Sequence, residues 1–190
     1  MNLAPVLTGP EGWEPHNYPH TRVAMQAWEV QMAGEIGARR LVANLHKGDA
    51  PHYDRSKMQS DWIAQPAAVL CEAAAAKWLD RYYDWSAWDA TTHHRHKDGG
   101  DVGGVEVRRV RTQPAVAVRQ RDAAKGVEIV AAYVDMDNPT EVLVYGLIDA
   151  RWAWAYYHSE QVPTRDWIRA PITWCENFDV DYQSAKGAGP

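Results

Sequence analysis

The stretch Asp101-Val-Gly-Gly-Val-Glu106-Val-Arg108 carries the residue types and spacing in this chain that could do chemistry. Alternate residues of a strand point the same way, so Glu106 and Arg108 share a face. Gly103 and Gly104 let the backbone bend, which brings Asp101 back toward Glu106. Two carboxylates meeting at a strand end supply the hard oxygen ligands that Mg²⁺ or Mn²⁺ takes. A cation beside them can hold a phosphate and stabilise the charge that develops during hydrolysis. The competing reading is a hairpin edge with solvated charges.

A third acid precedes this stretch. Val69, Ala73, Ala76, Leu79 and Tyr83 recur at steps of three and four, which predicts a helix over 66–83 with Pro66 in its first turn. Glu72 lies close to that stripe. It either faces the strands that follow or is an exposed carboxylate pairing with Lys77 or Arg81. Glu29 and Glu35, on an earlier helix, are alternative helix acids, and Asp98 competes with Asp101. The cluster His93-His94-Arg95-His96 reads as a metal-binding tract or an exposed loop.

These side chains need a frame. Residues 1–20 carry four Pro and two Gly and read as an irregular arm. Residues 21–45 repeat Val, Ala, Gly and Leu at helical steps, with Thr21 as the expected cap. Residues 46–61 read as a loop, and Trp85 to Trp88 as a short strand or turn before a polar loop through Gly100. Strands are expected at 105–111, 115–119, 127–134 and 142–149, the last two joined by a turn over 135–140. Residues 152–157 fit either a strand or a helix, and Asp149 reads as a solvated strand end. Residues 160–183 read as irregular with room for one more strand, and 184–190 as a disordered tail. Helices first and strands afterwards give the α+β class: N-terminal helices packed on a small mixed, mainly antiparallel sheet, in a single domain over 21–183.

The formal net charge of −5 argues against a protein coated in basic patches. The charge is uneven, however. From His93 to Lys125 there are eight Lys or Arg and four acids, a surplus of four positive charges. Arg109, Arg111, Arg119 and Arg121 are therefore candidates for contact with nucleic-acid backbone phosphates, or form an exposed charged strand face. The 10 Trp against 1 Phe suggest that some Trp line a binding surface while most fill the core. Cys71 and Cys175 fit no metal spacing, and Cys71, in an Ala-rich helix, is expected as a buried free thiol. There is no apolar run long enough to cross a membrane, and Met-Asn-Leu-Ala-Pro lacks a signal-peptide layout. The expectation is a cytoplasmic protein without a membrane partner.

The order of a helix Glu72, then Asp101, then Glu106-x-Arg108 resembles the PD-(D/E)XK nuclease superfamily. Cys71-Glu72-Ala-Ala-Ala-Ala-Lys77-Trp78-Leu79, followed by Asp101-Val-Gly-Gly-Val-Glu106-Val-Arg108, is similar to phage-encoded members. In those, a GE-x-A-V-A-K-x-L helix leads to a DVG…EVRT strand. Residues 29–45 and Tyr145-Gly-Leu-Ile148 look similar too, so the resemblance covers roughly residues 25–165.

The resemblance implies a PD-(D/E)XK nuclease-like core and a metal-dependent nuclease that hydrolyses DNA phosphodiester bonds. Asp101 and Glu106 would be ligands of Mg²⁺ (or Mn²⁺). Glu72 would be a third acid, binding the metal directly or through water. Arg108 stands where the superfamily usually has Lys. Arg is always charged and cannot act as a base, but it can clamp the scissile phosphate. The alternative is a catalytically inactive nuclease-fold protein that binds nucleic acid or a host protein, for example in phage counter-defence. A further alternative is an interaction protein that uses its Trp-rich surface.

Overall fold

Residues 129–134 and 142–148 are apolar at nearly every position, the pattern of strands covered on both faces. They form the centre of a four-stranded mixed sheet in the computed structural model, which describes residues 13–46, 58–85, 101–111, 113–160 and 167–175. The strand order is β1 (Thr21–Ala24), β5 (Glu141–Asp149), β4 (Glu128–Val134), β2 (Glu106–Arg109). Pairs β1–β5 and β5–β4 are antiparallel, and β4–β2 is parallel. The expected α+β class with a small mixed, mainly antiparallel sheet is what forms.

One face of the sheet is covered by α2 (Met58–Trp78), and α1 (Ala27–His46) packs against α2. Glu29 of α1 pairs with Lys77 of α2, whereas Gly37 meets Pro66, so the two helices run antiparallel. Val69, Leu70, Ala73 and Ala76 bury here against Val107, Val130 and Val142. Each Val or Leu so buried contributes about 1.5–3 kcal/mol. The other face is covered by a two-stranded ribbon, β3 (Ala115–Arg119) with β6 (Trp167–Pro171), and by α4 (Ala150–Glu160). Ile129, Ala131, Tyr145 and Ile148 of the sheet bury against Val116, Val118, Ala153 and Ile168. A short helix, α3 (Gln120–Lys125), carries the chain from β3 back into β4.

Several expectations are corrected. Thr21 does not cap a helix: Thr21–Ala24 is an edge strand, because pairing with Val142, Leu143 and Val144 outweighs its fit to a helical repeat. The helix begins at Ala27, and Glu29 Oε2 caps it by accepting from the Gln26 N–H at 2.6 Å. Pro66 lies inside α2, not in its first turn. The residues ahead of it, Met58 to Gln65, contain no Gly or Pro and continue the helix. α2 stops at Trp78, and Asp80 turns the chain with φ 50°, yet Leu79 and Tyr83 remain buried. Ala115–Arg119 belongs to the ribbon and does not extend β2. Residues 152–157 are helical, and β6 supplies the extra strand expected between 160 and 183.

The arm is pinned over its last part. Trp13 packs edge-on against Tyr133 at 5.4 Å, and the Tyr145 hydroxyl donates to the Pro15 carbonyl at 3.1 Å. Residues 1–12, Trp88, the cluster His93 to His96, Asp98 and the tail 184–190 lie outside the described residues. Among the described residues no helix is long and apolar enough to cross a membrane.

Candidate functional site

The Gly103–Gly104 turn builds the site. Val102 and Val105 exchange both backbone hydrogen bonds at 3.0 Å across it, and the two glycines take φ 52° and 92°. A two-residue turn with both central φ positive favours glycine at both places. Arg81, just past α2, clamps the turn by donating to the carbonyls of Val102 (3.3 Å) and Gly103 (2.9 Å). Asp101 is thereby folded back over the start of β2, where its Oδ2 accepts from the Val107 N–H at 2.8 Å.

Strand alternation does the rest. Val107 points into the core beneath α2, so Glu106 and Arg108 point to the opposite face, beside their register partners Ile129 and Ala131. There Arg108 Nη1 pairs with Glu106 Oε2 at 2.8 Å. Arg108 Nη2 reaches Asp122 Oδ2 at 3.3 Å. The guanidinium is held between two carboxylates while its Nε is buried without a hydrogen-bond partner among the described residues.

Glu72 has a different fate. It is buried, and both oxygens are taken by Arg40 of α1, at 2.7 and 2.8 Å. The Tyr83 hydroxyl donates a third bond to Glu72 Oε2 at 2.7 Å. Neither Lys77 nor Arg81 is its partner: Lys77 pairs with Glu29 at 2.7 Å, and Arg81 holds the glycine turn. Burial opposes the charge on Arg40, but Glu72 more than offsets this and the guanidinium pKa rises. Tyr83 is pushed well above its ordinary value by burial and then by the Glu72 carboxylate.

Asp101 feels both groups of charges. Burial, then Glu72, then Glu106 push its carboxyl from 3.8 up to about 7, against the opposing pull of the Val107 N–H and Arg108. Repulsion of this kind is relieved by a divalent cation. Asp101 and Glu106 are the two acids that could hold one, being near enough for the charge of Glu106 to raise the Asp101 pKa. No group of three or more His, Cys, Asp or Glu side chains among the described residues is arranged around a metal position. Mg²⁺ nevertheless suits a two-carboxylate site, because it keeps several waters as ligands.

The alternative helix acids have other tasks. Glu29 caps α1 and pairs with Lys77, and Glu35 is exposed beside Gln31. Asp149, read as a solvated strand end, caps α4 by accepting from the Trp152 N–H at 2.8 Å. Of the arginines singled out for phosphate contact, Arg111, Arg119 and Arg121 are exposed. Arg109 shares the face of Val107 and is part-buried, and that burial lowers its pKa. Cys71 is a buried free thiol, as expected, with burial pushing it up to about 12.

Asp122 was missed by sequence reasoning. It is buried, and its Oδ2 accepts from both the Arg119 N–H (3.0 Å) and Arg108 Nη2. A signal existed: an acid three residues after a strand-ending arginine, at the start of a helix, is placed to bond the cap residue's backbone.

The described residues thus define an α+β protein whose sheet edge gathers Asp101, Glu106, Arg108 and Asp122, with a buried Arg40–Glu72–Tyr83 cluster behind it. No protein-family model, no curated protein and no solved structure matches the chain.

Proposed function

We propose that this protein is a metal-dependent nuclease hydrolysing DNA phosphodiester bonds in the cytoplasm, on a PD-(D/E)XK-like core. The observation that supports it best is the placement of Asp101, folded over the glycine turn onto the Val107 N–H beside the Glu106–Arg108 pair. Asp101 and Glu106 would hold Mg²⁺ or Mn²⁺, which when bound would supply a water of lowered pKa as the nucleophile. Arg108 binds the scissile phosphate and stabilises its developing charge. It is not the base, since a guanidinium stays protonated. Asp122 and Glu106 hold the Arg108 fork in place from two sides. Glu72, bound by Arg40, acts on Asp101 through space and not as a direct ligand.

The test is cleavage of single- and double-stranded DNA by the purified protein in Mg²⁺ or Mn²⁺. Absence of cleavage, or cleavage that survives Asp101→Ala and Glu106→Ala, sinks this reading.

The Arg40–Glu72 pair favours a second reading, a nuclease-fold protein that binds nucleic acid or a host protein without cutting. In that case Mn²⁺ calorimetry shows no site that Asp101→Ala removes.

A further inference from the structure

We propose that the open cleft lined by Arg119, Gln120, Arg121 and Ala124 is a phosphate subsite, holding a second backbone phosphate of the strand whose scissile phosphate Arg108 binds. The inference rests on the nuclease reading and deepens it by giving the substrate backbone a second point of attachment.

The cleft has a volume of about 470 Å³. Its four lining residues are exposed, and none of them is an acid. The next residue along from Arg121, Asp122, is buried and turned to other work. Its Oδ2 accepts from the Arg119 N–H at 3.0 Å and from Arg108 Nη2 at 3.3 Å, and its Oδ1 lies 3.8 Å from Arg121 Nε. One carboxylate therefore ties the cleft to the Arg108 fork. A phosphate in the cleft and a phosphate on Arg108 would be neighbours.

Charge points to an anion. Arg108, Arg119 and Arg121 are gathered around Glu106 and Asp122, three cations to two acids, in a chain whose net charge is −5. Among the described residues the Arg119 guanidinium makes no hydrogen bond and no ion pair. Desolvation of its charged end, then the like charges of Arg108 and Arg121, lower its pKa against the opposing pull of Asp122 and Glu106. A phosphate would relieve that repulsion and accept from a guanidinium fork in two places.

The shape of the cleft favours a chain over a free ion. It is open to solvent, so a strand can enter and leave, whereas a free phosphate would gain most from an enclosed pocket.

The experiment follows the arginine Nε–Hε resonances of the full chain in EDTA as short oligothymidylate is added. Arg119 and Arg121 should shift. Arg22, exposed on β1 at the opposite edge of the sheet, should not. Inorganic phosphate at the same phosphate concentration should move the same two resonances less, because a lone phosphate engages one point where a strand engages two. The affinity for oligothymidylate, read by fluorescence anisotropy, should become less salt-dependent in Arg119→Gln and in Arg121→Gln, by about one unit of slope each. Arg22→Gln should leave the slope unchanged. Immobile Arg119 and Arg121, an equal shift at Arg22, or unchanged slopes in both cleft variants would overturn the proposal. Larger shifts with inorganic phosphate than with the oligonucleotide would assign the cleft to a free phosphate and overturn it too. No divalent metal is present, so a failure to cleave DNA counts against the hydrolytic reading alone. Cleavage by a chain whose Arg119 and Arg121 do not respond counts against the subsite alone.

Discussion

Arg40 and Glu72 form a bidentate ion pair, at 2.7 and 2.8 Å, between two helices in a position nearly closed to solvent. Its Glu72 carboxylate, second to burial, raises the pKa of the Asp101 carboxyl. Removing one partner of a buried pair strands the other's charge. Arg40→Leu or Glu72→Leu alone should cost about 3–5 kcal/mol of stability. The double variant should recover most of that loss, read by urea denaturation. Single variants as stable as the wild type would show that the pair does not form.

Asp101 predicts a pH dependence with a definite sign. Its carboxyl titrates near 7 in the folded chain and near 3.8 unfolded. Between these values the folded state holds a proton that the unfolded state has released, so stability falls as pH rises through this window. Asp101→Asn should flatten the slope. Mg²⁺ should restore stability at pH 7 more than at pH 5, because it binds the ionised carboxylate. Thermal melts across that range check both statements, and a melting temperature indifferent to Mg²⁺ at both pH values contradicts the second.

Arg108 is held by Glu106 and Asp122 as a cation, not as a base. Arg108→Ala should lower cleavage roughly 100-fold, the size of a lost transition-state donor. Arg108→Lys should keep cleavage and make its rate rise with pH, because an amine can lose its proton. Undiminished cleavage by Arg108→Ala would remove Arg108 from the mechanism.

Gly37 is where α1 meets α2. A Cβ there would lie 2.5 Å from the Pro66 nitrogen. Gly37→Ala must therefore push the helices apart, at a cost of about 1–3 kcal/mol by denaturation. Gly34→Ala, three residues earlier, meets nothing within 4 Å and should not destabilise.

What the sequence made legible follows from local physics. The helical stripe around Val69 to Ala76, the glycine turn and the Glu106–Arg108 face all rest on spacing within one element, and all three form. The partners did not show. Arg40 and Glu72 are 32 residues apart, and no periodicity records which polar group meets which across two helices. Thr21–Ala24 was hidden for the same reason, since its partner strand lies beyond residue 140. Asp122 was overlooked because its role depends on Arg108 and Arg119 arriving from two different strands.

Calorimetric titration with Mn²⁺ near pH 8 tests the central claim most directly, since Asp101 is ionised there. One site is predicted in the wild type, abolished by Asp101→Asn and by Glu106→Gln, with far-ultraviolet dichroism unchanged. A wild type that binds no Mn²⁺, or a site that persists in both variants, would contradict it.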